Sequence, residues 1–321
     1  MAIEIELYTA ERKLLIPFAN ANGSINIKKT LQCIIDQKFI YELPTSPSVG
    51  GKVEDIVDFS KGNVNPKSLD SLRPLIKRML SYYYALCLQK ISIPIFNGKP
   101  IKIHTYSIGE KIDISPEYIA KIKGGPFILD QLIDLTDSCN RKWIVDFNAS
   151  LNKEEWVYFC KKANFQNCKF IEQPCKLGIL NSDLALLCPV DIYADEEMLQ
   201  LTPEKIFSSP YSGFILKALR HNAYKLIEWI KFGQTYNFPF MISSMISDTI
   251  AQDFDLLINE SATYNLYSDR SFKYFQSPLE IQYRTYKREI DGSISINKEA
   301  INKVQQSYEL ATTISIDFDL K

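Results

Sequence analysis

The chain has 321 residues, 46% apolar and 23% charged, with 37 Lys and Arg against 38 Asp and Glu for a net charge of -1. That composition excludes disorder, and without a basic excess it gives no footing for nucleic acid or for an anionic membrane surface. The length suits about two average domains, or a barrel of about 250 residues with a smaller module.

The N-terminal stretch MAIEIELYTAERK places Glu4 and Glu6 among alternating apolar residues, so it does not read as a signal peptide. No run of eighteen apolar residues marks a membrane span. Cys33, Cys87, Cys139, Cys160, Cys168, Cys175 and Cys188 are odd in number and form no CxxC pair. Reduced thiols and a cytoplasmic location are the expectation, with neither a disulfide framework nor a zinc site. Only His104 and His221 are available, which excludes a His-rich metal centre.

The first hundred residues read as α+β. Residues 2–8 alternate as a strand, and an Asn-Gly turn signal lies within 21–26. Residues 44–51 read as a loop, and helical spacing from Leu69 to Leu86 predicts a helix over about 66–89. The run Tyr82-Tyr-Tyr84 falls on that helix and is expected to pack it against its surroundings.

After residue 90 short apolar runs alternate with helix-like stretches such as 153–163 and 223–232. The runs are 91–96, 118–123, 142–147, 169–174, 190–195, 213–218 and 238–244. Near-continuous apolar strands separated by helices are the mark of a buried parallel sheet. The polar residues at their C-terminal edges are Lys123, Asp146, Glu172, Asp195, Lys217 and Ser243, separated by 23, 26, 23, 22 and 26 residues. One strand-helix unit recurs at that length. Six strand ends in register point to a (β/α)8-type barrel, whose active site lies at those ends. No GxGxxG follows any run, which disfavours a dinucleotide fold.

Asp146, Glu172 and Asp195 end three successive strands. Carboxylates side by side on a rim repel unless a cation bridges them, and an all-oxygen set suits a hard divalent ion, Mg²⁺ first. Lys121 and Lys123 precede the carboxylates and Lys217 follows them, so lysines flank the set on both sides. A partly desolvated amine beside a dication can remove a proton next to a carboxylate. Separate strand-end salt bridges are the plain alternative for each charge.

These residues carry a resemblance. Ala120-Lys-Ile-Lys-Gly124, Val145-Asp-Phe-Asn148, Phe170-Ile-Glu-Gln-Pro-Cys-Lys176, Tyr193-Ala-Asp-Glu196, Phe214-Ile-Leu-Lys217 and Ile242-Ser-Ser-Met245 appear in order over about 118–250. The set resembles the enolase superfamily, muconate-lactonizing subgroup, and within it is most similar to the o-succinylbenzoate synthases of menaquinone biosynthesis. The resemblance implies a modified TIM (β/α)7β barrel with an α+β capping domain. The cap would be residues 1–95 completed by about 272–321, and the barrel 96–271. It implies Lys123 as the base that takes the substrate's α-proton, with Lys121 supporting it. Asp146, Glu172 and Asp195 would bind Mg²⁺, with Mn²⁺ as the alternative ion. Lys217 would stabilise an enediolate from the opposite face, Asn148 and Glu196 would orient the metal ligands, and Ser243 and Ser244 would bind a substrate carboxylate. The implied reaction is a lyase dehydration, with N-acylamino acid racemase, muconate cycloisomerase or a non-catalytic scaffold as alternatives. The implied partner is a small carboxylate, and the oligomeric state stays open. The chain departs from the family pattern at Ala218, where proline is usual, at 247–251, which lack a glycine, and at Phe39–Pro44. Dipeptide epimerases carry an Asp-x-Asp at the eighth strand, and the expected strand Ser261–Leu266 has none. His221 is expected to be solvated or capping, His104 to pack, and Cys175 to be a small buried thiol.

Overall fold

The computed structural model describes residues 2–20, 23–43, 66–98, 101–106, 117–243, 254, 257–266, 286–289, 294–307 and 309–317. The chain opens on three antiparallel strands, β1 (Ala2–Asn20), β2 (Gly23–Ile35) and β3 (Phe39–Leu43). β1 runs well past the expected residue 8, and Asn20 pairs with Gly23 across the two-residue connection at 21–22, itself outside the described residues. The expected loop at 44–51 also lies outside them.

Helix α1 (Pro66–Tyr82) gives way to a π-helical segment over Tyr83–Leu88, so the expected single helix has two parts. The run 91–96 is irregular, not a strand. Pro94 breaks the ladder of donors that a central strand needs. The barrel begins instead at β4 (Ile101–Tyr106). It continues through β5 (Ile119–Lys123), α2 (Leu129–Ser138), β6 (Trp143–Asp146), α3 (Lys153–Lys162), β7 (Cys168–Glu172) and α4 (Ser182–Ala185). Then come β8 (Asp191–Ala194), α5 (Pro203–Ile206), β9 (Gly213–Leu216), α6 (Ala223–Thr235), β10 (Phe240–Ile242) and β11 (Tyr264–Leu266). The chain ends on β12 (Tyr286–Arg288), β13 (Ile294–Ile296), α7 (Lys298–Ser307) and β14 (Glu309–Asp317).

Strands β4 to β11 are all parallel and close into one ring. β14, β1, β2 and β3 form a separate antiparallel sheet in that order. The architecture is a modified TIM barrel with an N-terminal α+β cap. Helix starts follow local chemistry: Asn152 and Glu155 make a reciprocal capping box on α3, and Asn222 accepts the Lys225 amide on α6.

The inside of the ring is layered by the period of two along each strand. Ile103, Ile119, Ile144, Phe170, Tyr193, Ile215 and Met241 form one buried floor with Tyr264 packed on it, one residue from each strand. Phe170 and Tyr193 stack with centroids 3.9 Å apart. The Tyr193 ring lies so close to Gly213 that a Cβ there would stand 2.4 Å from it, so β9 must begin with glycine. Two residues beyond this floor, on the same inner face, come Thr105, Lys121, Asp146, Glu172, Asp195, Lys217 and Ser243. The apolar floor therefore sets the depth at which the polar layer sits.

Cap and barrel are joined by buried polar contacts. The Tyr82 hydroxyl donates to the carbonyls of Ala218 at 2.8 Å and His221 at 3.0 Å, and Ala223 donates its amide to Ser81 Oγ at 2.9 Å. The Tyr82 ring stacks on Tyr41 and meets Phe254 edge-on. The tyrosine run is thus structural in this part. Tyr82→Phe keeps the ring and removes the hydroxyl, which should cost about 1–2 kcal/mol in urea unfolding. An unchanged unfolding free energy would show that the hydroxyl is not a fastening point.

Candidate active site

Each side chain of the polar layer is delivered by a strand end. Lys121, Lys123, Asp146 and Glu172 lie in strands, whereas Asp195, Lys217 and Ser243 each follow the last residue of one. Lys121, Asp146, Glu172 and Asp195 are fully buried, and Lys217 is nearly so. Burying this many charges is tolerable only in close pairs.

The pairs fall into two groups. In the first, Lys121 Nζ stands 2.9 Å from Asp146 Oδ2 and 2.8 Å from Glu172 Oε2, and Lys123 Nζ stands 2.6 Å from Asp146 Oδ2. Lys123 also donates to Asn148 Oδ1 at 3.3 Å, and the Asn148 amide donates to Asp146 Oδ1 at 3.0 Å. In the second, Lys217 donates to Asp195 Oδ2 at 2.5 Å, Arg220 grips Asp195 Oδ1, and Arg220 lies 3.4 Å from Glu196 Oε1. Lys123 and Lys217 belong to β5 and to the end of β9, four positions apart in a ring of eight. Their amines therefore flank the carboxylates from opposite sides of the barrel.

Electrostatics separates the carboxylates. Burial works against Asp146, but Lys121, Lys123 and Lys217 outweigh it and hold its pKa well below the usual range. Asp195 is likewise held low against burial by Arg220 and Lys217. Glu172 goes the other way: burial and the neighbouring Asp146 push it up to about 8, with Lys121 opposing. Burial and Asp195 push Glu196 up to about 7.

Among the described residues no three acidic, His or Cys side chains already converge as a metal cage. The three strand-end carboxylates are instead engaged by ammonium and guanidinium groups. The donor set still suits a hard cation. Glu172 is fully buried, and Lys121 donates to its Oε1 at 3.0 Å while standing 2.8 Å from Oε2. Three buried carboxylates on neighbouring strand ends, close enough for Asp146 and Asp195 to act on Glu172, make an all-oxygen donor set that fits such an ion.

Backbone strain gathers at this rim. Asn148 and Ala149 have φ of 48° and 56°, and Gln173 has φ of 32°. Side chains other than glycine enter this region at a cost, and such residues concentrate at functional sites. Gln173 is buried, and its Oε1 accepts the Asp195 amide at 2.9 Å and the Glu197 amide at 3.3 Å, while its Nε2 donates to the Tyr211 hydroxyl at 3.0 Å. It fixes the backbone that presents Asp195.

Gln173 and Arg220 were not among the expected site residues. Gln173 lies beside Glu172 in a motif already singled out, but its reach to the next strand is not readable from spacing. Arg220 is three residues past Lys217, beyond the strand, on the turn Ala218–Arg220. Ser243 is buried and its amide donates to the Leu216 carbonyl at 2.9 Å. Ser244 and residues 245–251 lie outside the described residues. His104 stacks on Tyr118 at 4.8 Å, and Cys175 is a free, fully buried thiol.

His221 departs from expectation: it is 3% exposed, not solvated, and α6 is capped by Asn222 instead. Packing α1 over the turn covers it. Burial, with Lys225, Arg220 and Arg78 as like charges and Asp195 opposing, lowers its pKa to about 3. An unfolded histidine titrates near 6.5, so below that pH the unfolded chain binds the extra proton. This contribution to stability is complete above about 6.5 and is lost as pH falls toward 3, by up to about 1.4 kcal/mol per pH unit. Unfolding titrations of wild type and His221→Phe over that window should diverge, with the variant the flatter. Parallel curves would show that His221 charges freely in the folded protein.

No family model matches the sequence, and no curated protein sequence matches it. Solved structures do. A dipeptide epimerase from Cytophaga hutchinsonii, complexed with Mg and D-Ala-L-Val, aligns over 99% of this chain and 100% of its own, with a TM-score of 0.66 and 15% identity. An enolase family member from Agrobacterium tumefaciens with homology to dipeptide epimerases aligns over 92% and 99%, at 0.62 and 17%. A muconate lactonizing enzyme from Mycobacterium smegmatis, complexed with muconolactone, aligns over 94% and 99%, at 0.66 and 12%. Among the described residues no helix is long and apolar enough to cross a membrane. The structural neighbours are enolase superfamily members, and what this chain shares with them is their fold, a capped barrel of parallel strands.

Proposed function

We propose that the chain is a metal-assisted enzyme of the enolase type that removes an α-proton from a small carboxylate. More narrowly, it is read as an o-succinylbenzoate synthase, a lyase that dehydrates 2-succinyl-6-hydroxy-2,4-cyclohexadiene-1-carboxylate to 2-succinylbenzoate. The observation that carries the reading is the polar layer itself: three carboxylates on consecutive strand ends, with a lysine pair on one side and Lys217 on the other. Neighbours complexed with Mg lend support to the ion.

Asp146, Glu172 and Asp195 would hold Mg²⁺ or Mn²⁺, which supplies positive charge to the substrate carboxylate when bound. Lys123, half-buried at the barrel mouth, takes the proton from the carbon bearing that carboxylate. Electron density moves into the carboxylate, and Lys217 on the opposite side stabilises the anion that forms. The carbon-oxygen bond to the ring hydroxyl then breaks, and Lys123 returns its proton to the departing oxygen, so that water leaves and the ring becomes aromatic. Lys121, fully buried between Asp146 and Glu172, sets the local charge and touches no solvent. Asn148 orients both Lys123 and Asp146, and Ser243, at the end of β10, would bind a substrate carboxylate. The floor of Phe170, Tyr193 and Tyr264 closes the lower end of the site to water.

A second reading, N-acylamino acid racemase, draws on one observation: Lys123 and Lys217 come from strands four places apart in the ring of eight, and two-sided proton transfer needs a group on each side. Muconate cycloisomerase would use the same groups. The test is the loss of diene absorbance on adding the cyclohexadiene substrate with Mg²⁺, with EDTA and wild type without substrate as controls. Rapid, EDTA-sensitive decay supports the synthase. No decay, together with α-proton exchange of N-acylamino acids in deuterated water, moves the assignment to the racemase. Silence toward both substrates and toward muconate would overturn the enzymatic reading.

A further inference from the structure

Arg220 is a fourth cation among four carboxylates, and the chemistry above gives it no task. It is nearly buried, and it is carried by the short turn that follows Lys217. Its guanidinium engages Asp195 Oδ1 while Lys217 holds Oδ2, so both oxygens of a fully buried carboxylate are taken. It also lies 3.4 Å from Glu196 Oε1. The turn is not loose, because the Tyr82 hydroxyl donates to the carbonyls of Ala218, its first residue, and His221, the residue after it. Among the described residues, the carboxylates of Asp146, Glu172, Asp195 and Glu196 meet the cations of Lys121, Lys123, Lys217 and Arg220, so the cluster carries no excess negative charge before any metal enters.

We propose that Arg220 is a built-in competitor for the divalent cation, occupying the Asp195 oxygen that the ion needs and thereby setting how tightly the ion is held. The inference rests on the reading of Asp195 as a metal ligand. Two consequences of the geometry support it. A dication entering a buried cluster whose described carboxylates are already matched by cations adds two further positive charges. It also has to draw Asp195 away from a guanidinium that cannot lose its own charge. A positive group bound to the same carboxylate repels the ion strongly even at a moderate effective dielectric. Had Arg220 served only to orient Asp195 for the metal, its removal would weaken binding, so the sign of the change decides between the two roles.

The experiment is Mn²⁺ binding followed by electron paramagnetic resonance of the free ion, on the purified full chain, with no substrate. Arg220→Met removes the charge, Arg220→Gln removes it while keeping a donor for Asp195, and Arg220→Lys keeps it. Circular dichroism establishes that each variant is folded, and the Gln variant carries the test if the Met variant is not. The Met and Gln variants are expected to bind Mn²⁺ about tenfold more tightly or better, with the Lys variant near wild type. Equal or weaker binding in both neutral variants, with wild type binding measurably, would overturn the inference and leave the metal reading standing. No binding by wild type or any folded variant would overturn the metal reading, and the inference with it.

Discussion

Lys123→Ala is expected to slow α-proton removal by about 10²–10⁴-fold, the range over which a positioned acid-base group accelerates a proton transfer. The expectation rests on placement. Lys123 is the outer of the two lysines on β5, at the barrel mouth, with its ammonium on Asp146 and Asn148. Lys121 lies two residues deeper and is fully buried, so it cannot replace Lys123 at the substrate. The substitution also leaves the fold nearly untouched, because Asp146 keeps Lys121 at 2.9 Å. Exchange of the substrate α-proton in deuterated water reads the step directly. Lys217→Ala should spare part of that exchange if the reaction is a one-sided dehydration, and should abolish exchange from one face if it is a racemisation. Wild-type exchange in Lys123→Ala would remove it as the base.

Asp195→Ala should destabilise the metal-free protein by about 3–5 kcal/mol, the cost of leaving a buried charge unpaired. Two cations depend on this carboxylate. Lys217 would lose its 2.5 Å partner, and among the described residues Arg220 would be left with Glu196 at 3.4 Å. A lysine can shed its proton when stranded, whereas an arginine cannot. The double variant Asp195→Ala with Arg220→Met should therefore recover a large part of the loss, even though it carries one more core substitution. Urea unfolding in EDTA measures both. If the double variant is no more stable than Asp195→Ala, stranded charge is not the cause, and the Gln173 contact to the Asp195 amide becomes the better explanation.

The barrel was legible because its logic is local. Apolar residues alternate with the inner layer along each strand, and a charge two residues above an apolar floor residue stands out against the run. Hence Asp146, Glu172 and Lys217 could be named from one-dimensional spacing. What could not be read depends on contacts between distant elements. Ile91–Phe96 is as apolar as a strand, and only Pro94 and the pairing of β4 with β11 show that the ring starts later. His221 looks like a surface residue until α1 is laid over it. Arg220 sits on a turn, where an arginine is ordinarily solvated, and its burial follows from the fold of the 218–221 segment against Asp195. Three carboxylates side by side call for positive charge, and Lys121, Lys123, Lys217 and Arg220 supply much of it, which spacing alone did not reveal.

The pairing of β1 with β14 has a consequence in time. Ile3 lies opposite Ile316, and Ile5 opposite Ile314. During synthesis β1 emerges first and β14 more than three hundred residues later, so one edge of the first sheet stays open while the whole barrel is made. At ribosomal rates of roughly 5–20 residues per second, that interval is on the order of tens of seconds. An open edge of unpaired backbone groups is a template for another chain. Completion of the cap sheet is therefore expected to be a late, slow event, set by the large sequence separation of the partners. Chains arrested before residue 309 should be captured by chaperones or by one another through β1, while chains released complete should not.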